Sequence, residues 1–229
     1  MDFLSSVVEY FSTAANWWGT EGMVHRLVEH VGMSAAALAT AMLIALPVGL
    51  VLGHTGRGGA VAVNLSNLGR AVPSFAIIVL MASIVGIGAK PAYIALVALA
   101  VPPMVTNTFT AIQGVDREVR EAAVGMGLTG RQVLARVEVP MGLPLMMAGI
   151  RTSAVQVVAT ATLAALVGWG GLGRYIIDGL ATRDFQEVFA GALLVAVLSL
   201  LVEVGLSVLQ RVIVPNGLRG RLVATADLD

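Results

Sequence analysis

A dense group of charged side chains lies in the middle of an otherwise apolar sequence. Eight charged residues occur between Asp116 and Glu138, and apolar runs long enough to cross a bilayer lie on either side. No His/Asp/Glu cluster, nucleophile elbow or HExxH pattern accompanies them, which argues against a membrane enzyme. A charged segment of this size between spans must lie in water, and its pattern is typical of a surface that another protein binds.

Local patterns predict two short helices in this segment. Asp116 is a suitable N-cap for the first helix, whose apolar face is expected to contain Val115, Val119, Ala122 or Ala123, and Met126. Gly125 and Gly127 are expected to end that helix in the left-handed conformation. Thr129 and Gln132 predict a capping box for the second helix, which Pro140 follows. A solvated loop with two helical turns is the alternative interpretation.

The spacing of the segment resembles the signature loop of permease subunits of bacterial ABC importers. A Glu-Ala-Ala triplet is followed by three residues, a glycine, nine residues and an aliphatic-x-aliphatic-Pro group. In that family the loop is a coupling helix that docks into a groove on a cytoplasmic ATPase. The resemblance implies ATPase docking by Glu121, Ala122, Ala123, Gly127, Val137, Val139 and Pro140, with valine where isoleucine and leucine are usual.

Composition indicates an integral membrane protein. The chain is 57% hydrophobic and only 12% charged, whereas roughly 25% charged is normal for a soluble domain. A net charge of zero gives no indication of nucleic-acid binding, and the absence of cysteine excludes disulfides and thiolate metal sites. His25, His30 and His54 do not form a metal-site pattern, and His25 and His30 are expected to be a solvent-exposed pair at the membrane surface.

An all-α membrane fold with five spans is predicted after an amphipathic N-terminal segment, residues 1–30. Trp17 and Trp18 in that segment favour a helix lying at the membrane–water interface, with a partner-contact surface as the alternative. The predicted permease domain is 31–215, with spans at about 31–52, 68–88, 91–112, 142–166 and 188–208, a coupling loop at 113–141 and a cytoplasmic tail at 216–229. Gly49 and Gly53 would permit close helix contact, although chance explains such a pair in a chain with 26 glycines.

The distribution of basic residues predicts the orientation. With the coupling loop in the cytoplasm, nine arginines lie inside and four basic residues outside, which are Arg26, Lys90, Arg174 and Arg183. The N-terminus is then outside and the C-terminus inside. The glycine-rich loop from Gly168 to Asp184 is also outside, and it lacks the features of a phosphate-binding loop, as does the rest of the sequence.

Further motifs resemble permeases for osmoprotectants, the branch that carries glycine betaine, choline, carnitine or proline betaine. They lie at 72–76, 107–108, 114–116, 125–127, 148–151 and 170–173, so the resemblance covers about 34–215. It implies the type I importer fold with five core helices, and a second permease subunit, identical or homologous. Two cytoplasmic ATPases would bind ATP and Mg, no cofactor would be held by this chain, and an extracytoplasmic binding protein would deliver the substrate. Docking candidates for that protein are Gly170, Gly171, Gly173 and Arg174.

Polar residues inside the predicted spans are candidates for the translocation path. They are Asn107, Arg151, Gln156 and Glu203. The alternative is that they bond within the helix bundle or, for Arg151, extend toward the cytoplasm. An amino-acid or methionine importer permease is the second interpretation of the chain. A secondary transporter or channel is disfavoured because the spans show no internal repeat.

Overall fold

Every regular element that the computed structural model describes is helical, which confirms the all-α prediction. The structure describes residues 3–60, 64 and 72–215. A short 3-10 turn, Ala14–Asn16, lies between the first two helices. The helices are α1 (Phe3–Ser12), α2 (Met23–Thr55), α3 (Ser74–Val85), α4 (Ala89–Gln113), α5 (Arg117–Gly125), α6 (Gly130–Val167), α7 (Gly173–Thr182) and α8 (Phe185–Ile213).

Four of the described helices, α2, α4, α6 and α8, are long and apolar enough to cross a membrane. They contain the first, third, fourth and fifth predicted spans. The second predicted span begins outside the described residues, and its described part contains the 12-residue helix α3. The predicted tail, 216–229, also lies outside them. Helix α2 begins at Met23, so the predicted interfacial segment contains α1, the 3-10 turn and the first two turns of α2.

Helix α6 joins the second half of the coupling loop to the fourth span. It begins as α-helix, passes through a π turn at Leu134–Glu138, continues as α-helix and ends as a 3-10 segment at Ala161–Val167. The expectation that the second short helix stops before Pro140 is therefore wrong. A proline lacks an N–H and its ring crowds the preceding turn, and a wider π turn relieves that crowding.

Helix α8 exposes most of its apolar surface. In its most apolar 18-residue window, only 6% of the residues are buried inside the chain. Leu200, Leu201 and Val212 are all more than 60% exposed. An apolar surface this long is unstable in water, whereas lipid or another membrane helix covers it at no cost. Exposure of this kind agrees with a multi-pass membrane protein.

The chain divides into two units. The first comprises Met1–Thr40, Val72–Ala100 and Ala154–Val202, and its core includes Ile78, Ala92, Ala164 and Leu172. The second comprises Ala41–Ala71, Val101–Ser153 and Glu203–Asp229.

Small residues permit close helix packing in the second unit. A Cβ on Gly49 would lie 2.6 Å from Cβ of Thr108, and one on Gly53 would lie 2.6 Å from Cβ of Ile112. Both glycines therefore make the close contact between α2 and α4 that their spacing permits.

Candidate functional site

Helix α5 is a short, well-capped helix. The carboxylate of Asp116 accepts a hydrogen bond of 2.8 Å from the backbone N–H of Glu118, as the sequence predicts. At the other end Gly127 has φ +88°, and the N–H groups of Gly127 and Leu128 bond to the carbonyls of Val124 and Ala123. This pair of bonds is a Schellman motif, which requires a left-handed residue at Gly127. Gly125, by contrast, is the last helical residue and has no positive φ, so its predicted left-handed role is wrong.

The predicted apolar face of α5 is divided between the interior and the solvent. Val115 and Ala123 are buried, at 7% and 2% exposure. Val119 and Met126 are 39% and 75% exposed, and Val124, which the predicted face did not include, is 59% exposed. Large apolar side chains on a charged segment outside the spans indicate a surface that a partner covers. The outer surface of α5, defined here as Glu121, Ala122, Val124 and Met126, is therefore the candidate docking site.

An exposed ion pair joins Glu121 on this outer surface to Arg117. Glu121 accepts from Arg117 one turn earlier, with 2.6 Å between Nε and Oε1. The two side chains are 63% and 89% exposed, so the pair contributes little to the stability of the chain. Glu121 is therefore available to a partner at little cost to the fold.

The second half of the coupling loop is more closely packed than the first. The backbone N–H of Thr129 donates to Oε1 of Gln132 over 2.8 Å, which confirms the predicted capping box. Val139 packs against the buried cluster of Ala111, Ile112 and Met146. Val137, Val139 and Pro140 are all half-buried.

The seven predicted docking residues therefore differ in exposure. Three of them, Glu121, Ala122 and Gly127, are exposed, Ala123 is buried, and the remaining three are the half-buried residues of the second half.

A buried acid that the sequence did not single out lies behind α5. Glu138 is only 1% exposed. Its Oε2 lies 2.6 Å from Nδ1 of His54 in the last turn of α2, and its Oε1 lies 3.2 Å from Nε of Arg120 on α5. Residues 84 positions apart share no periodicity in the sequence, so only the fold reveals this cluster.

Two of the four translocation candidates contact one another. Nε of Arg151 on α6 lies 2.8 Å from Oε1 of Glu203 on α8, and its Nη1 donates to Gln210 over 3.0 Å. Asn107 instead donates to the carbonyl of Pro103 in its own helix over 2.8 Å. Gln156 is half-buried in the first unit, whereas the other three candidates belong to the second.

The glycine-rich loop packs against the N-terminal part of α2. The N–H of Gly171, which has φ +79°, donates to Oε2 of Glu29 over 2.9 Å, and the N–H of Leu172 donates to Nδ1 of His30 over 3.3 Å. Nε2 of His30 lies 2.9 Å from the carbonyl of Val158. Since Nδ1 accepts, Nε2 carries the proton and donates to Val158. His30 is fully buried, so the expectation of a solvent-exposed histidine pair is wrong.

Glycine is required in this loop by packing. Gly171 and Gly173 are buried, and a Cβ on Gly173 would overlap the backbone carbonyl of Thr162. Of the four binding-protein docking candidates, Gly170 and Arg174 are partly exposed. Arg174 forms an ion pair with Asp178, with 2.9 Å between Nη2 and Oδ2.

A buried tyrosine at the start of α7 also bonds to the segment before α2. The hydroxyl of Tyr175 donates to the carbonyl of Glu21 over 2.6 Å. Burial raises the pKa of Tyr175 to about 12, so the phenol keeps its proton and this hydrogen bond at any physiological pH.

In the residues that the structure describes, no group of three or more His, Cys, Asp or Glu side chains is placed to hold a metal ion.

Comparison with known proteins identifies the fold and the family. The chain resembles the solved MetNI methionine ABC transporter in its inward-facing conformations, with a TM-score of 0.72, 24% identity, and coverage of 84% of this chain and 96% of that one. The fold is thus that of a type I ABC importer permease. The family model described as "Binding-protein-dependent transport system inner membrane component" matches residues 45–216, and the chain belongs to that family.

Curated relatives match most of the chain. The glycine betaine/carnitine/choline transport system permease protein OpuCB of Bacillus subtilis is 34% identical over 86% of this chain and 91% of its own length. The carnitine transport permease protein OpuCB of Listeria monocytogenes is 36% identical over 83% of this chain and 88% of its own length. This chain is therefore a permease subunit of an ABC transporter.

Proposed function

We propose that this chain forms the translocation path of an ATP-driven importer for a compatible solute such as glycine betaine, choline, carnitine or proline. The names of the two curated relatives support this substrate class over amino acids. The observation that carries the proposal is the outer surface of α5, where Val124 and Met126 are exposed on a capped, charged helix between two candidate spans. That surface has the form of a docking element rather than a passive connector.

The proposed complex contains two copies of a cytoplasmic ATPase, a second permease subunit and an extracytoplasmic binding protein. ATP and Mg²⁺ bind to the ATPase, and the chain described here holds no cofactor. The outer surface of α5 docks on the ATPase. The exposed part of the loop at 168–174, with Arg174, faces the binding protein.

The proposed orientation places α5 in the cytoplasm and the N-terminus outside. Nine arginines then lie inside and four basic residues outside, as the positive-inside bias requires. The exposed charges of α5 then lie in cytoplasmic water, with Glu121 on the surface that the ATPase covers.

The Arg151–Glu203 pair is the proposed polar contact of the path. The two side chains remain 31% and 39% exposed, so both signs of charge are accessible within spanning helices. A zwitterion with separated charges would contact both ends of such a pair weakly, while the binding protein provides selectivity. Asn107 and Gln156 are the other proposed polar groups along the path.

The test is uptake by proteoliposomes that contain the chain with or without its ATPase and binding protein. Radiolabelled glycine betaine, choline, carnitine and proline would be offered with ATP enclosed on the ATPase side. We expect concentrative uptake of at least one of them, only when all components and ATP are present. Concentrative uptake by the chain alone would contradict ATPase dependence, and uptake of methionine in preference to every osmolyte would contradict the substrate class.

A further inference from the structure

Three helices meet at the buried carboxylate of Glu138. Glu138 lies in the π turn of α6, His54 in the last turn of α2 and Arg120 on the inner side of α5. Each carboxylate oxygen faces a different partner, with 2.6 Å from Oε2 to His54 and 3.2 Å from Oε1 to Arg120. All three residues belong to the second unit, so one side chain joins the docking helix to two candidate spanning helices.

Burial distinguishes this cluster from the other ion pairs among the described residues. The side chain of Glu138 is 2% exposed, whereas the acids of the Arg117–Glu121 and Arg151–Glu203 pairs are 63% and 39% exposed. A carboxylate this deeply buried keeps its charge only when cations or donors compensate the lost hydration. Moving α5 away from α6 would therefore leave Glu138 without one of its two partners.

Further contacts tie the same cluster to the end of α4. The Arg120 guanidinium also donates to the carbonyl of Ile112. The side chain of Gln113 donates to the carbonyl of Gly53, one residue before His54. These bonds connect the C-terminal ends of α2 and α4 with α5, so a displacement of α5 strains several elements together.

We propose that Glu138 is a positioning residue that transmits movement of the docked helix α5 to α2 and α6. This inference rests on the proposed docking of an ATPase on the outer surface of α5. Glu138 lies behind that surface and takes no part in docking. Its loss therefore uncouples ATP hydrolysis from transport while the ATPase stays bound.

The experiment uses the complete complex with ATPase and binding protein in lipid nanodiscs for hydrolysis and in proteoliposomes for uptake. Glu138→Gln keeps the shape of the side chain and removes its charge. Glu138→Asp keeps the charge, and Glu118→Gln removes an exposed acid from the same segment as a matched control. The quantities measured are the ATPase retained per permease, the solute moved per ATP hydrolysed, and the dependence of hydrolysis on loaded binding protein.

For Glu138→Gln we expect ordinary ATPase retention and a fall of about fivefold or more in solute moved per ATP. Glu138→Asp should recover part of that ratio, and Glu118→Gln should leave it unchanged. A purely structural role would reduce the amount of complex and lower hydrolysis and transport together, without changing their ratio. An unchanged ratio in the assembled Glu138→Gln complex would overturn the proposal.

If the Glu138→Gln complex fails to assemble, the solute moved per ATP is measured in His54→Gln instead. His54 is 29% exposed and its replacement leaves Arg120 beside Glu138. A lowered ratio of transport to hydrolysis in His54→Gln supports the coupling role, and a normal ratio overturns it. Failure of the wild-type chain to retain any ATPase would instead contradict the proposed function on which the inference rests.

Discussion

The coupling loop and the glycine-rich loop are both polar connections with special glycines, yet they differ in what they expose. Around Gly127 the backbone turns in open space, since no atom beyond the adjacent residues lies within 4 Å of a Cβ added there, and Met126 at the end of α5 is 75% exposed. Around Gly171 and Gly173 the backbone is buried against the chain itself. Gly127 serves a turn that presents a surface, whereas Gly173 serves internal packing and Gly171 serves a left-handed turn within the packed loop.

The largest effect on folding is expected from Gly173→Ala in the packed loop. The new Cβ would overlap the backbone carbonyl of Thr162, and a backbone atom cannot rotate away as a side chain does. We expect a loss of about 3 kcal/mol in the free energy of unfolding, at the upper end for overpacking. Thermal unfolding in detergent measures it.

Gly205→Ala is the matched control for that change. Gly205 is exposed on α8, and apart from the neighbouring residues and local backbone of that helix no atom lies within 4 Å of a Cβ added there. We expect unchanged or slightly higher stability, since alanine favours a helix over glycine. Equal stability of the two variants would show that the glycine-rich loop is not packed as described.

A smaller effect on folding is expected from Gly127→Ala in the coupling loop. A side chain at φ +88° is strained by about 1–3 kcal/mol, although there is space for it. Because the strain falls on the turn after α5, transport and retention of the ATPase should fall more than the amount of protein in the membrane.

Gly125→Ala provides the comparison two residues earlier. Gly125 is helical and has open space around it, so alanine there should leave retention and transport near the wild-type level. Equal behaviour of the two variants would mean that the left-handed turn has no role in docking.

The smallest effect on folding is expected from Glu121→Ala. The ion pair it removes is exposed on both sides, so stability and membrane insertion should not change. Transport should nevertheless be lost, because Glu121 lies on the outer surface of α5. Arg117→Ala breaks the same ion pair and is the control.

If transport survives in Glu121→Ala, the coupling loop is a passive connector. If transport is lost equally in Arg117→Ala, the ion pair itself matters rather than docking through Glu121.

Local signals in the sequence predicted much of the coupling loop. The cap at Asp116, the capping box of Thr129 with Gln132 and the turn at Gly127 all depend on residues within five positions of one another. Apolar length likewise identified the four long spans. Such features can be predicted because the interacting groups are neighbours in the chain.

Features that depend on distant contacts could not be predicted. His30 is buried because the glycine-rich loop, about 140 residues away, folds over it. Glu138 is buried by partners from α2 and α5. In each case tertiary packing decided the outcome over local propensity.

Accessibility of a single cysteine at position 126 tests the docking surface most directly. The chain has no native cysteine, and Met126 is 75% exposed, so Met126→Cys introduces one readily labelled thiol. Trp18→Cys, at a position that is 70% exposed in the N-terminal segment, reports the opposite side of the membrane in the proposed orientation.

An impermeant thiol reagent should label Trp18→Cys in intact cells and leave Met126→Cys unlabelled. In inside-out vesicles the reagent should label Met126→Cys only after the ATPase has been stripped away. Labelling of Met126→Cys from outside intact cells would contradict the orientation. Equal labelling in vesicles with and without the ATPase would contradict docking on the outer surface of α5.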